Sequence, residues 1–305
     1  MPDKPSRPIP VIVNAASGLG NGPRQIESLQ AQFRAAGLNA RIMPVRSGGE
    51  LRAVVKSAAR ENPPMIVAGG GDGTLSTVAG LLKGTGIPMG VLPLGTLNHF
   101  ARDLRIPLDL PAAIATLAAG HVSEVDVGEV NGRVFLNNSS LGIYPDVVRE
   151  RKRQQKRLGR GKRWALFWAS LTAMRRYAFL HVRLCLNGID REYRAPFVFI
   201  GNNQYVMEGF NIGVRGRMRD GLLSVYVTQR RTRWALFGLG LRALFAQLHQ
   251  AKDFEASTAQ ALTIESRHRH LHVATDGEVA LMETPLHYRV HPLALRVVVP
   301  RPAPS

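Results

Sequence analysis

The chain has 305 residues, of which 45% are hydrophobic and 20% charged, a balance that excludes a disordered protein and favours two globular domains. Its 40 Lys and Arg against 22 Asp and Glu give a formal net charge of +18, which predicts a polyanionic partner: nucleic acid, an anionic membrane surface or a phosphorylated small molecule. The single cysteine, Cys185, excludes an internal disulfide and a multi-cysteine metal site, and it suits a reducing cytosol.

Neither the N-terminus nor the apolar stretches predict export or membrane spanning. Residues 1–10 are polar and Pro-rich and lack the charged and apolar regions of a signal peptide. The longest apolar stretches, residues 164–174 and 234–241, are far shorter than the roughly 20 residues that span a bilayer. We therefore expect a cytoplasmic protein that lies on a membrane without crossing it.

The first third of the chain alternates short apolar runs with helical patterns, which predicts a parallel sheet with crossover helices. The predicted strands are residues 11–13, 41–45, 65–68 and 89–92. The predicted helices are residues 26–37, 50–61 and 75–82. We assign residues 1–127 to an α/β nucleotide-binding domain.

From about Asp126 the pattern becomes β-rich, and alternating segments without intervening helices predict an antiparallel β-sandwich over residues 128–305. The predicted strands are residues 133–137, 181–186, 197–201, 222–228 and 271–274. Two segments interrupt this pattern, a basic and then aromatic insertion at residues 149–179 and a helical segment at residues 233–250.

Three loops with glycine follow predicted strands of the first domain. The first, NAASG at residues 14–18, lies where backbone amides can approach phosphate oxygens, although a tight strand-to-helix turn explains it equally well. The second, GGGDGT at residues 69–74, contains more glycine than a turn needs and predicts an anion nest at a helix N-terminus. Thr74 would serve as cap or phosphate donor, and Asp72 would bind Mg²⁺ or make a buried polar contact. The third, PLGTLN at residues 93–98, repeats the arrangement.

Together these loops resemble the catalytic domain of the diacylglycerol kinase family, in particular bacterial diacylglycerol kinases and YegS-like lipid kinases. The family segments N-P-x-S-G, G-G-D-G-T and P-x-G-T-x-N-x-x-A correspond to residues 14–18, 70–74 and 93–101, and VDVG at residues 125–128 is the usual exit from that domain. The resemblance extends over essentially the whole chain. It implies a kinase that uses ATP and Mg²⁺ to phosphorylate a hydroxyl of diacylglycerol or a related membrane lipid.

The resemblance also implies a nucleotide site in which the Gly-Asp-Gly-Thr loop replaces a P-loop, since no Walker A pattern occurs. The residues implied to line this site are Asn14, Ser17, Gly18, Gly70, Gly71, Asp72, Gly73, Thr74, Leu75, Ser76, Thr77, Thr96 and Asn98. The departures from the family pattern are Ala15 for proline, Ser76 and Thr77 for an Asn-Glu pair, His99 for a common aspartate, and Val45 for a nucleotide-binding threonine. They affect the details of adenine and ribose contact rather than the phosphate loop.

Two Asp-Gly pairs in the second half each predict a hairpin turn by composition. At the first, the resemblance implies a structural Mg²⁺ bound by Arg217, Asp220 and Leu222, through one carboxylate and backbone carbonyls. At the second, it implies that Asp276 and Glu278 form the catalytic, proton-accepting end of the site. One would be the general base, with Glu278 favoured, and the other would hold Mg²⁺ or orient that base.

Residues 149–163 contain nine basic residues and one acid, and Trp164, Phe167, Trp168 and Leu171 follow at helical spacing. This arrangement predicts an anionic membrane surface as partner, or equally a solvated loop leading into a core helix. No nucleic-acid module is evident, so no nucleic acid is expected. The alternating His268, His270 and His272 are expected to be surface residues rather than metal ligands.

These observations predict that ATP and a lipid headgroup meet in a cleft between the two domains. The partners would be ATP, the lipid substrate and an anionic membrane surface, with a homo-oligomer left open. The alternatives are a sphingoid-base kinase, an NAD kinase that shares the Gly-Gly-Asp-Gly loop, and a catalytically silent, nucleotide-sensing membrane-binding module. The third loop and the late Asp-Gly-Glu favour a lipid kinase over an NAD kinase.

Overall fold

The computed structural model describes residues 7–15, 23–142, 180–186, 188–206, 214–215, 218–228 and 254–301. The chain divides into two compact units, one of residues 1–127 with 292–305 and one of residues 128–291. The sequence placed the last residues in the second domain. They belong instead to the first unit because the long strand β18 (Leu286–Val298) ends in the parallel sheet, where Val297 pairs with Met89.

The first unit contains four parallel strands in the order β2-β1-β3-β4, followed by the end of β18. These strands are β1 (Ile9–Asn14), β2 (Ala40–Val45), β3 (Ile66–Gly70) and β4 (Met89–Pro93). Strands β1, β3 and β4 are almost fully buried, as expected for a parallel sheet with helices on both faces. The predicted strands and the α/β class are confirmed.

In the described residues of the first unit, five helices accompany this sheet: α1 (Pro23–Ala35), α2 (Gly48–Arg60), α3 (Asp72–Leu82), α4 (His99–Asp103) and α5 (Leu110–Ala119). Helix α2 begins at Ser47, whose hydroxyl accepts the Glu50 N–H while the Glu50 carboxylate accepts the Arg46 N–H. Helix α5 begins at the cap Asp109 and ends at Gly120 in the left-handed conformation. Helices α1, α2 and α3 lie close to their predicted positions.

The second unit is an antiparallel β-sandwich, as predicted. One sheet has the order β18-β15-β8-β9, with β5 and β6 beside β18, and the other has the order β14-β13-β10-β7-β16-β17. The first sheet comprises β5 (Val122–Val130), β6 (Arg133–Phe135), β8 (Leu180–Leu186), β9 (Ile189–Ala195), β15 (Ala261–Ser266) and β18. The second comprises β7 (Asn138–Gly142), β10 (Phe197–Asn202), β13 (Leu223–Thr228), β14 (Phe254–Ala259), β16 (His270–Thr275) and β17 (Glu278–Glu283). A short ribbon is formed by β11 (Tyr205–Val206) and β12 (Val214–Arg215).

The core of this unit lies between the two sheets, where apolar side chains such as Leu184 and Val273 are fully buried. Tyr288 is buried among them, and its hydroxyl is 3.0 Å from the Ser139 hydroxyl. Burial raises the pKa of Tyr288 well above its ordinary value, and the hydrogen bond to Ser139 offsets part of this effect.

The basic and aromatic insertion at residues 149–179 and the helical segment at residues 233–250 lie outside the described residues. In the part of the chain that the structure describes, none of the helices has the length and apolar character needed to cross a membrane.

Candidate functional site

The three glycine-containing loops follow neighbouring strands of the parallel sheet. Val13 lies opposite Gly69 in β3, and Gly70 lies opposite Pro93 in β4, so the carboxyl ends of β1, β3 and β4 are level with one another. The Asn14 side-chain amide donates a hydrogen bond to the Thr74 hydroxyl at 3.0 Å, which ties the first loop to the second. Ser17 and Gly18 lie outside the described residues.

The second and third loops contact each other through their backbones, and this contact requires glycine. A Cβ at Gly95 would lie 2.5 Å from the Gly71 Cα and 2.7 Å from the Asn98 Oδ1 atom. The Leu94 N–H donates to the Gly70 carbonyl at 3.1 Å and fixes the two loops in register. Gly71 and Gly95 therefore allow the two loops to pack against each other. The same lack of side chains would let a phosphate group approach the backbone.

Asp72 is the first residue of α3, and its carboxylate accepts the N–H groups of His99 at 3.3 Å and Phe100 at 3.1 Å. These two N–H groups belong to the start of α4, so Asp72 acts as a cap for a helix that begins 27 residues later. Of the two roles predicted for Asp72, the polar contact is observed, and it is half-buried.

Helix α3 begins in the glycine loop with Gly71 as its N-cap, and no side chain of the described residues caps it. The first turn of an α-helix has N–H groups without intrahelical acceptors, and this helix end attracts anions. The Ser76 and Thr77 hydroxyls both turn back to the Gly73 carbonyl, at 3.3 and 2.9 Å, while Leu75 is fully buried. The Leu75 N–H donates to the Gly71 carbonyl at 3.1 Å, so neither the side chain nor the N–H of Leu75 is presented to a ligand.

In the third loop, Asn98 adopts a left-handed conformation with φ of 52°. Its side-chain nitrogen donates to the carbonyls of Pro93 at 3.1 Å and Gly95 at 2.9 Å, and its side-chain oxygen accepts the Gly95 N–H at 2.9 Å. The Asn98 side chain therefore links the end of the third loop to its start through three hydrogen bonds. The side chain of Thr96, in contrast, is exposed and accessible to a ligand.

In the second unit, Asp276 and Gly277 join β16 to β17 with φ angles of 47° and 79°, the conformation of a type I′ hairpin turn. The Asp276 carboxylate accepts three backbone N–H groups, from Leu136 and Asn137 at 2.8 Å and from Asn138 at 3.1 Å. Glu278 is half-exposed, and its Oε2 atom lies 2.8 Å from an Arg133 guanidinium nitrogen. The sequence suggested that both carboxylates face one cleft, whereas the structure gives them different partners.

The predicted Mg²⁺ site can be compared with the local geometry in part, because Arg217 lies outside the described residues. Asp220 carries a half-exposed carboxylate, and its N–H donates to the Asn203 side-chain oxygen at 2.9 Å. The Leu222 carbonyl accepts the Asn203 N–H, also at 2.9 Å. One carboxylate with backbone carbonyls is an oxygen donor set that suits Mg²⁺, which keeps several waters. Across the ranges that the structure describes, no group of three or more His, Cys, Asp or Glu side chains could hold a metal.

Sequence reasoning did not identify the residues that hold these turns, namely Arg133, Asn202, Asn203 and Tyr205. Arg133 and Glu278 are 145 positions apart, and a contact of that range leaves no local pattern. The adjacent asparagines at the end of β10 are the one available signal, because asparagine tolerates positive φ and bonds to nearby backbone. Of the three histidines predicted to be surface residues, His268 and His270 are exposed and His272 is half-buried.

Comparison with known families assigns both halves of the chain. The family model of the diacylglycerol kinase catalytic domain matches residues 8–130. The YegS C-terminal NAD kinase beta sandwich-like domain matches residues 143–299.

Individual relatives agree with these matches. A Pseudomonas aeruginosa protein named "Probable lipid kinase YegS-like" is 30% identical over 295 residues, which are 93% of this chain and 92% of that protein. A Staphylococcus aureus diacylglycerol kinase is 32% identical over 142 residues, 46% of this chain and 45% of that protein. A crystal structure of a diacylglycerol kinase from Bacillus anthracis str. Sterne superimposes with a TM-score of 0.68 at 20% identity, covering 97% of this chain and 98% of that one. This last similarity supports the fold.

Proposed function

The chain belongs to the family of diacylglycerol kinases and YegS-like lipid kinases, and from this premise we propose that it transfers the γ-phosphate of ATP to a hydroxyl of diacylglycerol or a related membrane lipid. The observation that carries the proposal is the level alignment of the three loops at the carboxyl ends of β1, β3 and β4, with the first turn of α3 among them. This edge of a parallel sheet is where phosphates bind in α/β folds.

The ATP phosphates would bind to backbone N–H groups at the start of α3, around Gly71 and Gly73. These groups carry the positive end of the helix dipole and need no side chain to present them. Thr96 is an exposed hydroxyl in the neighbouring loop and would add a side-chain contact. Asn14, Asp72 and Asn98 would then support the loops rather than bind the nucleotide through their side chains, since each bonds to another part of the loops.

Glu278 is the better candidate for the general base. The Asp276 oxygens already accept three backbone N–H groups, two of them at Oδ1, so this carboxylate is engaged by residues 136–138. Glu278 is half-exposed, and Arg133 pairs with only one side of its carboxylate. It would take the proton of the lipid hydroxyl as that oxygen bonds to the γ-phosphorus, while the bond from phosphorus to the bridging oxygen breaks and ADP leaves with the electron pair.

Two further parts of the reaction environment follow from the family. Asp220 and Leu222, together with Arg217, are the residues that would hold a structural Mg²⁺, which supplies a fixed positive charge at this turn. The nine basic residues of residues 149–163 would bring the protein to an anionic membrane surface, where a lipid substrate is available.

The experiment that tests the proposal is a turnover assay with γ-labelled ATP and separate acceptors: diacylglycerol, sphingosine, phosphatidylglycerol and NAD. We expect label in a glycerolipid product. Label in sphingosine alone would favour the sphingoid-base kinase alternative, and label in NAD would overturn the lipid assignment. ATP binding without transfer to any acceptor would support the silent nucleotide-sensing module.

A further inference from the structure

The loop of residues 136–138, between β6 and β7, has all of its backbone polar groups paired, although it lies in no strand except at its last residue. Its three N–H groups all donate to the Asp276 carboxylate, at 2.8 to 3.1 Å. The Asp276 N–H returns a bond to the Asn138 carbonyl at 2.9 Å. One aspartate therefore holds this loop and the Asp-Gly-Glu turn together with four hydrogen bonds.

The other side of the same loop is held by residues of β10 and β11. The Asn202 side-chain nitrogen donates to the Leu136 carbonyl at 3.0 Å, and the Asn202 N–H donates to the Asn137 carbonyl at 2.9 Å. The Tyr205 hydroxyl donates to the same Asn137 carbonyl at 2.8 Å. These groups are almost completely buried, so the bonds form away from water, where a hydrogen bond is electrostatically stronger.

The loop also connects to the half-exposed carboxylate of Glu278. Arg133 lies on β6, three residues before Leu136, and its guanidinium pairs with Glu278 at 2.8 Å. The turn that carries Glu278 is thus fixed at two points, at Asp276 by the loop and at Glu278 by the strand leading into the loop. A displacement of the loop would move both points.

We propose that Asp276, Asn202 and Tyr205 are positioning residues, which hold the loop of residues 136–138 and through it place Glu278 for proton transfer. The inference rests on the proposed function, because it assigns these residues a role in the same reaction. Proton transfer depends steeply on distance and orientation, so a small shift of the turn lowers the rate of the chemical step while nucleotide binding is unaffected. Asp276 does not exchange a proton in this scheme.

The first test replaces Asp276 with Asn, which keeps the shape of the side chain but turns one acceptor into a donor facing the loop N–H groups. We expect kcat for lipid phosphorylation to fall by at least about tenfold, with the KM for ATP unchanged. The decline of kcat toward acidic pH should be the same as in the parent, because Glu278 is still the base. Hydrogen exchange should become at least about tenfold faster in a peptide that spans residues 134–141, because the loop N–H groups lose one of their two acceptor oxygens.

The second test avoids a change of charge. Tyr205→Phe keeps the ring, which packs edge-on against Phe199 at 5.3 Å, and removes only the hydroxyl bonded to Asn137. We expect a loss in kcat of about fivefold, the effect of one neutral hydrogen bond, again without a change in the KM for ATP. The matched control is Tyr193→Phe, which loses a hydroxyl bonded to Glu255 elsewhere in the same unit and should keep the parental kcat.

The outcomes separate this inference from the proposed function. A parent enzyme that phosphorylates no lipid would overturn the proposed function itself. With an active parent, parental kcat and parental exchange in Asp276→Asn would overturn the inference alone. The inference would also be overturned if kcat of that variant no longer declined toward acidic pH, because Asp276 would then be the group whose protonation lowers the rate.

Discussion

The glycine loops of the first unit and the Asp-Gly-Glu turn of the second unit use an aspartate in the same way. Asp72 accepts the N–H groups of His99 and Phe100, and Asp276 accepts those of residues 136–138. Each aspartate stands beside a glycine, and each binds a segment that is distant in the sequence. In both motifs the aspartate holds a second loop in place.

The two regions differ in what they leave for a ligand. In the first unit the glycines allow two loops to touch, and the groups available to phosphate belong to the backbone at the start of α3. In the second unit the backbone groups of residues 136–138 are all paired, and the available group is the half-exposed side chain of Glu278. In the mechanism that we propose, the aspartate of the Asp-Gly-Glu motif holds the backbone and the neighbouring glutamate takes the proton.

The largest effect is expected for Glu278, the proposed general base. Glu278→Gln should lower kcat by roughly 10²- to 10⁴-fold, because the general base is lost while the side chain keeps its size. ATP affinity and thermal stability should stay at the parental values. The control is Glu283→Gln, an exposed glutamate on the same strand whose partner is Arg269. Equal losses in both variants would remove the special role of Glu278.

Gly73→Val tests whether the backbone at the start of α3 binds phosphate. The branched side chain should obstruct phosphate at the start of α3 and weaken ATP binding by at least about tenfold, or about 1.4 kcal/mol, measured by calorimetric titration. Gly48→Val is the matched control, since Gly48 also lies in the first turn of a helix and a Cβ there meets open space. A folded Gly73→Val protein with parental affinity would exclude this loop as the phosphate site.

A smaller effect is expected for the aspartate of the first unit. Asp72→Ala should lower the free energy of unfolding by about 1 kcal/mol in urea denaturation, the usual cost of a lost helix cap. Asp109→Ala removes the cap of α5 and should cost a similar amount without affecting the glycine loops. An Asp72 variant that loses all turnover at parental stability would assign Asp72 to metal or substrate instead.

The smallest effect is expected for Tyr288, in the core of the second unit, and only at alkaline pH. Because the pKa of Tyr288 is raised in the folded protein, its contribution to stability is fully present below the ordinary tyrosine value of 10.0 and is lost as the pH rises above it. Tyr288→Phe should therefore flatten the decline of unfolding free energy above that pH. A variant with the same alkaline decline as the parent would show that other groups cause it.

The strands and turns of both units could be predicted because their signals are local. The apolar runs before glycine gave β1, β3 and β4, and the Asp-Gly pair at residues 276–277 gave the hairpin between β16 and β17. The alanine-rich helix α5 was missed because nearly all of its residues are apolar or small and show no clear polar face. The C-terminal segment was assigned to the wrong unit because a strand pattern does not reveal its partner.

The contacts within the candidate site could not be predicted, for a related reason. The bonds from Asp276 to residues 136–138 span 138 to 140 positions, and the bond from Tyr205 to Asn137 spans 68. Sequence spacing carries no record of such pairings, so the family resemblance could imply a catalytic role for Asp276 but not its backbone partners. The role of Asn98 within its loop is local, and the signal available was an asparagine, which tolerates positive φ, three residues after Gly95.

Chemical rescue distinguishes the two proposed roles, in which Glu278 takes the proton and Asp276 holds the loop. Glu278→Ala and Asp276→Ala would be assayed for lipid phosphorylation with increasing formate, whose carboxylate can replace a missing base at a half-exposed position but is not tethered to the turn and cannot rebuild its link to residues 136–138. We expect formate to raise kcat of Glu278→Ala by about tenfold or more and to leave Asp276→Ala unchanged. Rescue of Asp276→Ala with no effect on Glu278→Ala would contradict the account and exchange the roles of the two residues.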